Sequence, residues 1–235
     1  MPYIYGMLQN RVDPFGNLIR TKARGHWLGN RGLLHNEHRE IVRPFRLKAW
    51  ITCLLSFKGR KRVVMSPGLW TELFFFDEAT AFAAGHRPCF ECRRQDAVRF
   101  KQAWLRGNPS YGFNDKTPIA AIDEVLHAER VLPSGIKVTF TEELSALPDG
   151  SFIELNSDAY LLFGGLVHRW SPGGYGAGVA ASGVTASAAS GAAAPGSTGL
   201  VTVLTPRSTV NAFRAGYVPE VRLDRAKRGP GLPLP

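Results

Sequence analysis

Cysteine is scarce in this chain, with three in 235 residues. That excludes the dense disulfide framework with which small secreted domains make up for a thin core. Long apolar runs are missing as well. None approaches the roughly 18 consecutive apolar residues of a membrane-spanning helix, so no membrane partner is expected. The opening residues, MPYIYGMLQNRVDPFG, show no charged leader followed by an apolar stretch, so no secretory signal is read there. A cytoplasmic, reducing setting is expected, which suits free or metal-bound thiols. Acid is the third shortage: 19 Asp+Glu face 29 Lys+Arg, a formal charge of +10.

What is present is unevenly placed. Residues 1–115 hold 19 Lys+Arg and 9 Asp+Glu, whereas residues 116–235 hold 10 of each. The whole excess of positive charge therefore lies in the half that contains Cys53, Cys89 and Cys92. A basic segment that also carries metal-type ligands points to a polyanion as partner. Residues 1–48 show little regular pattern, with turn signals at Asp13–Asn17 and Gly29–Gly32. Their arginines and lysines alternate with His26, Trp27 and Phe45, a mixture able to follow phosphates and stack on bases. Leu47 to Phe57 reads as a strand with Cys53 in its middle. Next comes the densest basic cluster, Lys58, Arg60, Lys61 and Arg62, read as a hairpin tip leading into a strand at Val63–Met65. Such a tip suits phosphate contacts that position a protein without reading sequence.

The richest stretch is Leu73 to Arg94, LFFFDEATAFAAGHRPCFECRR. Leu73–Phe76 is short, apolar and aromatic, as buried strands are. Asp77 can cap a helix with its carboxylate, and Glu78 suits the positive end of the helix dipole. Alanines fill the body of that helix and Gly85 can end it. Arg87-Pro88 then imposes extended chain leading into Cys89-Phe90-Glu91-Cys92. A CxxC bend lets two sulfurs face one tetrahedral metal, although a redox pair has the same spacing. A second helix is expected from Gln95 to Leu105, with Ala97, Phe100 and Trp104 on one face. Its start, with Arg93 and Arg94 alongside, would favour the Cys92 thiolate.

The run FFFDEATAFAAGHRPCFECRR resembles the second half of the metal-binding domain of the Ada family, bacterial methyl-phosphotriester DNA repair and response proteins. The resemblance implies a zinc held by cysteines, one of which accepts a methyl group from a DNA phosphate. Ile51-Thr52-Cys53 is similar to the first half of the family motif, placing Cys53 at the methyl-accepting position and Cys89 and Cys92 at the second pair. Three departures accompany it. Phe57 stands where the family has its remaining cysteine, Lys58–Thr71 looks like an insertion, and Phe90 and Glu91 replace residues that are often basic. His86, His35, His38 or a water could complete the ligand set.

Downstream, 108–118 reads as a linker and Ile119–Ala128 as a helix. Strands are expected at Ile136–Phe140 and Ser151–Leu155, a hairpin at Tyr160–Trp170, and a further strand at Val201–Thr205. A short helix is expected at Val210–Gly216. Ser171–Gly199 is rich in Ala, Gly and Ser without charge and reads as a flexible insert, and the tail from Asp224 as disordered. The fold class expected is α+β: a basic Ada-like zinc module over 1–115, then a small antiparallel β-rich module over 116–235. The function expected is zinc-dependent DNA binding, extending to sensing or repair of alkylated backbone phosphates by methyl transfer to Cys53. Lys58, Arg60, Lys61, Arg62, Arg93 and Arg94 would meet the nucleic acid. A metal-dependent nuclease or hydrolase using His35 or His38, and a structural zinc module without nucleic acid, are the alternatives.

Overall fold

The structure, a computed structural model, describes residues 7–61, 63–180 and 199–223. It is α+β, with two six-stranded sheets and helices packed between and beside them. The first sheet contains β1 (Gln9–Val12), β2 (Leu18–Arg20), β3 (Trp27–Asn30), β4 (Ile51–Cys53), β5 (Leu73–Phe75) and β6 (Arg87–Pro88). Their order is β2-β1-β5-β3-β4-β6, with β1/β5 and β4/β6 parallel and the other pairs antiparallel. Half of this sheet comes from the segment read as patternless. Its strands are three or four residues long, and their partner β5 lies far along the chain.

Helix α1 (Glu78–Ala83) follows β5 and begins as its residues dictate. Asp77 Oδ1 accepts from the backbone N–H of Thr80 at 2.8 Å and from its hydroxyl at 2.7 Å. Gly85, at φ 85°, takes the left-handed turn that ends the helix. Every residue of α1 is buried. Ala81 and Ala84 pack with Val12, Trp27, Leu73 and Phe75 of the first sheet. Ala79 and Ala83 pack with Phe152 and Leu161 of the second and with Leu204 just after it. Phe82 joins Phe100, Trp104, Ile122, Leu126 and Phe213 in a helical core. Small side chains let three layers approach one short helix.

Helix α2 (Arg94–Gly107) buries Ala97, Phe100, Ala103 and Trp104, the face its spacing predicts. The linker residues Tyr111 and Phe113 stack on Trp104. Helices α3 (Ile119–Arg130) and α4 (Arg207–Arg214) complete this core, so the apolar packing runs across the boundary placed near residue 115.

The second sheet is larger than expected and wholly antiparallel. It contains β7 (Phe140–Glu143), β8 (Phe152–Leu155), β9 (Asp158–Phe163), β10 (Leu166–Ser171), β11 (Gly174–Ala180) and β12 (Leu200–Val203), in the order β11-β10-β9-β8-β12-β7. Two expectations are corrected here. The strand sought at Ile136–Phe140 starts at Phe140, because its partner β12 pairs Val203 with Phe140 and Leu200 with Glu143. The low-complexity stretch opens as a strand, since a backbone ladder to β10 needs no large side chains. The rest of that stretch, 181–198, and the tail from Asp224 lie outside the described residues.

Candidate metal centre

Three local features bring the cysteines together. Strand β4 ends at Cys53, which is therefore at the strand's edge rather than mid-strand. Strand β6 runs parallel to β4, pairing Ile51 with Arg87 and Thr52 with Pro88, and the Cys89 N–H donates to the Thr52 carbonyl at 2.9 Å. The chain then turns through the CxxC bend, closed by the Arg93 N–H on the Cys89 carbonyl at 3.0 Å. As a result the sulfurs of Cys53, Cys89 and Cys92 lie within 4.8 Å of one another. Cys89 is buried and the other two are half-buried. All three are free thiols.

The bend favours one thiolate above the others. The thiol of Cys53 and the backbone N–H groups of Cys92 and Glu91 point at the Cys89 sulfur, the Glu91 N–H at 3.3 Å. The Cys53 hydrogen bond is the largest of these effects; burial opposes it, and the result holds Cys89 down at about 5. The Cys53 thiol is pushed up, first by donating to Cys89 and then by burial. Cys92 is raised by burial, against the Leu54 N–H. The easily ionised sulfur is thus Cys89 and not Cys92, as its position near the helix start had suggested. The reason is that the Cys53 thiol and the N–H groups of the bend converge on Cys89, whereas Cys92 is held up by burial.

Arg93 is 5% exposed. Its Nη2 donates to Glu78 at 2.6 Å and to Asp96 at 3.0 Å, Nη1 donates to the Thr52 hydroxyl at 2.8 Å, and the guanidinium lies 3.9 Å over Trp27. It is an interior strut that locks the end of the bend to α1 and β4, and no nucleic acid can reach it. Arg87 is a second strut, holding Asp123 of α3 through two hydrogen bonds of 2.7 and 2.6 Å in a buried pair. Arg94 is exposed at the start of α2.

The basic turn sits against the bend. Lys58 and Gly59 both adopt left-handed backbone, at φ 52° and 65°, which folds the chain back. Arg60 then reaches Glu91, the residue inside the CxxC, at 2.6 Å. Lys58 and Arg60 lie 5.2 and 5.5 Å from the ring centre of Phe57. Where the family motif would put a cysteine, the chain has an aromatic platform beneath exposed cations. Lys58, Arg60 and Lys61 are exposed; Arg62 lies outside the described residues. The strand expected at Val63–Met65 is replaced by turns.

No histidine or carboxylate among the described residues joins the sulfur cluster. His86 is buried between Trp50 and Phe75, with Nε2 accepting from Arg31 Nε at 3.2 Å. Burial, then Arg31 and Arg130, holds it neutral well below the ordinary histidine range. His35 is committed to the Thr71 hydroxyl at 2.6 Å and the Ser66 carbonyl at 3.2 Å. His38 is exposed and outside the cluster. The hydrolase alternative placed His35 or His38 near the metal site, and neither joins the sulfur cluster.

Three sulfur donors this close suit a soft or borderline metal ion. No helix among the described residues is long and apolar enough to cross a membrane. Comparison with known proteins finds no matching family model, no matching curated protein and no matching solved structure.

Proposed function

We propose that this chain is a DNA-binding protein organised around a zinc ion held by Cys53, Cys89 and Cys92, after the pattern of the Ada metal-binding domain. The observation that supports this best is adjacency: a three-sulfur donor set and an exposed basic turn, joined through Arg60 and Glu91. Zinc bound there would keep its sulfur ligands deprotonated. Three protein donors is the number found in reactive zinc sites, whereas structural sites use four. Lys58, Arg60 and Lys61 would take phosphate oxygens, and Arg94 would add a cation just past Cys92.

Backbone binding is the broader claim and methyl transfer the narrower. In the narrower one, the half-buried Cys53 sulfur attacks the methyl carbon of a phosphate methyl ester. A sulfur–carbon bond forms, the carbon–oxygen bond breaks, and a phosphodiester leaves with the bonding pair. The cysteine is consumed, so each chain reacts once. The competing reading is a structural zinc module. It draws on the burial of Arg31, Arg87 and Arg93, which makes the basic surface smaller than the charge count implies.

Elemental analysis tests the centre: wild type is expected to hold near one zinc per chain and Cys53→Ser to lose or weakly retain it. Equal zinc in both would take Cys53 out of the site. Salt-dependent binding of duplex DNA tests the function. Lys58→Gln with Lys61→Gln should flatten the salt slope by about 0.9 per contact removed. Full zinc with no salt-dependent affinity would leave the structural module. A one-methyl mass gain on Cys53 from phosphotriester DNA would establish the narrower claim.

A further inference from the structure

A second cluster of charge, with Arg31 and Arg130 buried and Lys137 half-buried, lies on residues outside the cysteine centre. Arg31 follows β3, Arg130 ends α3, and Lys137 lies in the segment before β7. All three line one small cavity of about 30 Å³, together with Phe15, Gly16, Pro44, Trp50 and Val131. Arg31 and Arg130 are 1% and 2% exposed. Both guanidiniums lie against the Trp50 ring, at 3.8 and 4.2 Å.

These cations have no matching anion. Among the described residues no carboxylate forms an ion pair with any of the three. Asp13 is the acid acting on Arg31 and Lys137, and Asp123 the one acting on Arg130, but the Asp13 oxygens are occupied by the backbone and side-chain N–H groups of Asn17 at 2.9 and 3.0 Å. Asp123 is committed to Arg87. Some donors serve the fold: Arg31 Nη1 holds the Gly16 carbonyl, Arg130 Nη1 the Gly85 carbonyl and Nη2 the Lys48 carbonyl, and Lys137 the Ala83 carbonyl. Others do not. Arg31 Nη2 and Arg130 Nε are buried without a partner. A Cβ built on Gly16 would stand 3.7 Å from Arg31 Nη2, which places that amino group at the glycine wall of the cavity.

Buried charge without a counter-ion costs several kcal/mol, and native interiors rarely leave it so. One water needs roughly 10–15 Å³, so the cavity has room for more than a water. Guanidinium forks match oxyanions in geometry as well as in charge. We propose that Arg31, Arg130 and Lys137 form an internal binding site for a small oxyanion of the phosphate kind. The site would tie the turn after β1, the loop after β3 and the end of α3 together through one ligand.

Equilibrium dialysis of the full chain against radiolabelled inorganic phosphate, in buffer free of other anions except a weakly binding one, tests this. A single saturable class of binding is expected. It should weaken by at least about tenfold in Lys137→Met, the value of one charge-assisted hydrogen bond. Arg31→Met should abolish it, and because that variant removes a buried strut the Lys137 variant carries the test if Arg31→Met does not fold. Lys116→Met, on an exposed turn elsewhere, should bind as wild type does. No saturable phosphate binding, or equal weakening by Lys116→Met, would overturn the proposal. So would chloride competing as strongly as phosphate, since that would make the site one for a halide.

Discussion

Replacing Arg93 by alanine should cost this protein about 3–5 kcal/mol, because it breaks a buried ion pair and strands Glu78. Burial by itself would disfavour the guanidinium's charge; Glu78 outweighs it and keeps Arg93 firmly charged. The Glu78 carboxylate also accepts from Tyr217 Oη and from the Glu220 N–H, each at 2.8 Å, so it cannot swing out to water without breaking both. The cation over Trp27, at 3.9 Å, is lost as well. A domain of this kind is stable by about 5–15 kcal/mol, so one substitution removes a large share. The assay is urea unfolding followed by tryptophan fluorescence, with zinc content measured on the same samples. Both should fall, since Arg93 also holds Thr52, the neighbour of Cys53. The pair Glu78→Met with Arg93→Met should recover only part of the loss. Its apolar replacement removes the stranded charge but leaves Tyr217 and Glu220 without their acceptor, at about 1–3 kcal/mol each. A loss below about 1 kcal/mol in Arg93→Ala is the value of a surface pair. It would refute the interior role and return Arg93 to the nucleic-acid face.

Two further outcomes follow from the packing and the buried charges. Lys137 is pulled down to about 7, chiefly by burial and then by Arg31 and Arg130, with Asp13 opposing. The unfolded chain holds that proton up to about 10.4, so stability should rise with pH between those two values and fall away as pH drops through 7. The wild-type minus Lys137→Met difference in urea midpoint isolates this from the cysteines; a difference flat with pH would sink it. At Gly107 a Cβ would stand 2.6 Å from the Asn211 carbonyl carbon and closer still to its oxygen. Gly107→Ala should therefore destabilise by about 1–3 kcal/mol through overpacking of α2 on α4, despite alanine's better helix propensity. Unchanged zinc content is expected there, and a neutral or raised melting temperature would contradict the packing.

Local chemistry was legible in the sequence. Asp77 and Gly85 delimit α1 as their side chains require, the spacing of Ala97, Phe100 and Trp104 predicts the buried face of α2, and the Gly164-Gly165 hairpin joins β9 to β10. Features that depend on distant partners were not. Strands β1 and β2 carry arginines and are only four and three residues long, so Gln9–Arg20 looks like basic loop until β5 supplies the ladder. Arg93 reads as surface charge because nothing near it in the chain reveals that Glu78, fifteen residues away, waits inside. The cavity of Arg31, Arg130 and Lys137 had no signal at all. Its residues are scattered along the chain from Phe15 to Lys137 and share no motif.

The burial of α1 on every side has a consequence for dissection of the protein. A zinc knuckle is commonly thought of as a module that can be cut out and carried elsewhere. Here Phe82, Ala79 and Ala83 belong at once to the helix that precedes Cys89 and Cys92 and to cores built from residues up to Tyr217. A fragment ending near residue 115 would expose those faces and lose Tyr217 and Glu220 from the Glu78–Arg93 lock. Any metal affinity of the three cysteines would therefore depend on the whole fold. Amide protons in β8 and β12, far along the sequence from any cysteine, should exchange more slowly when the metal is added.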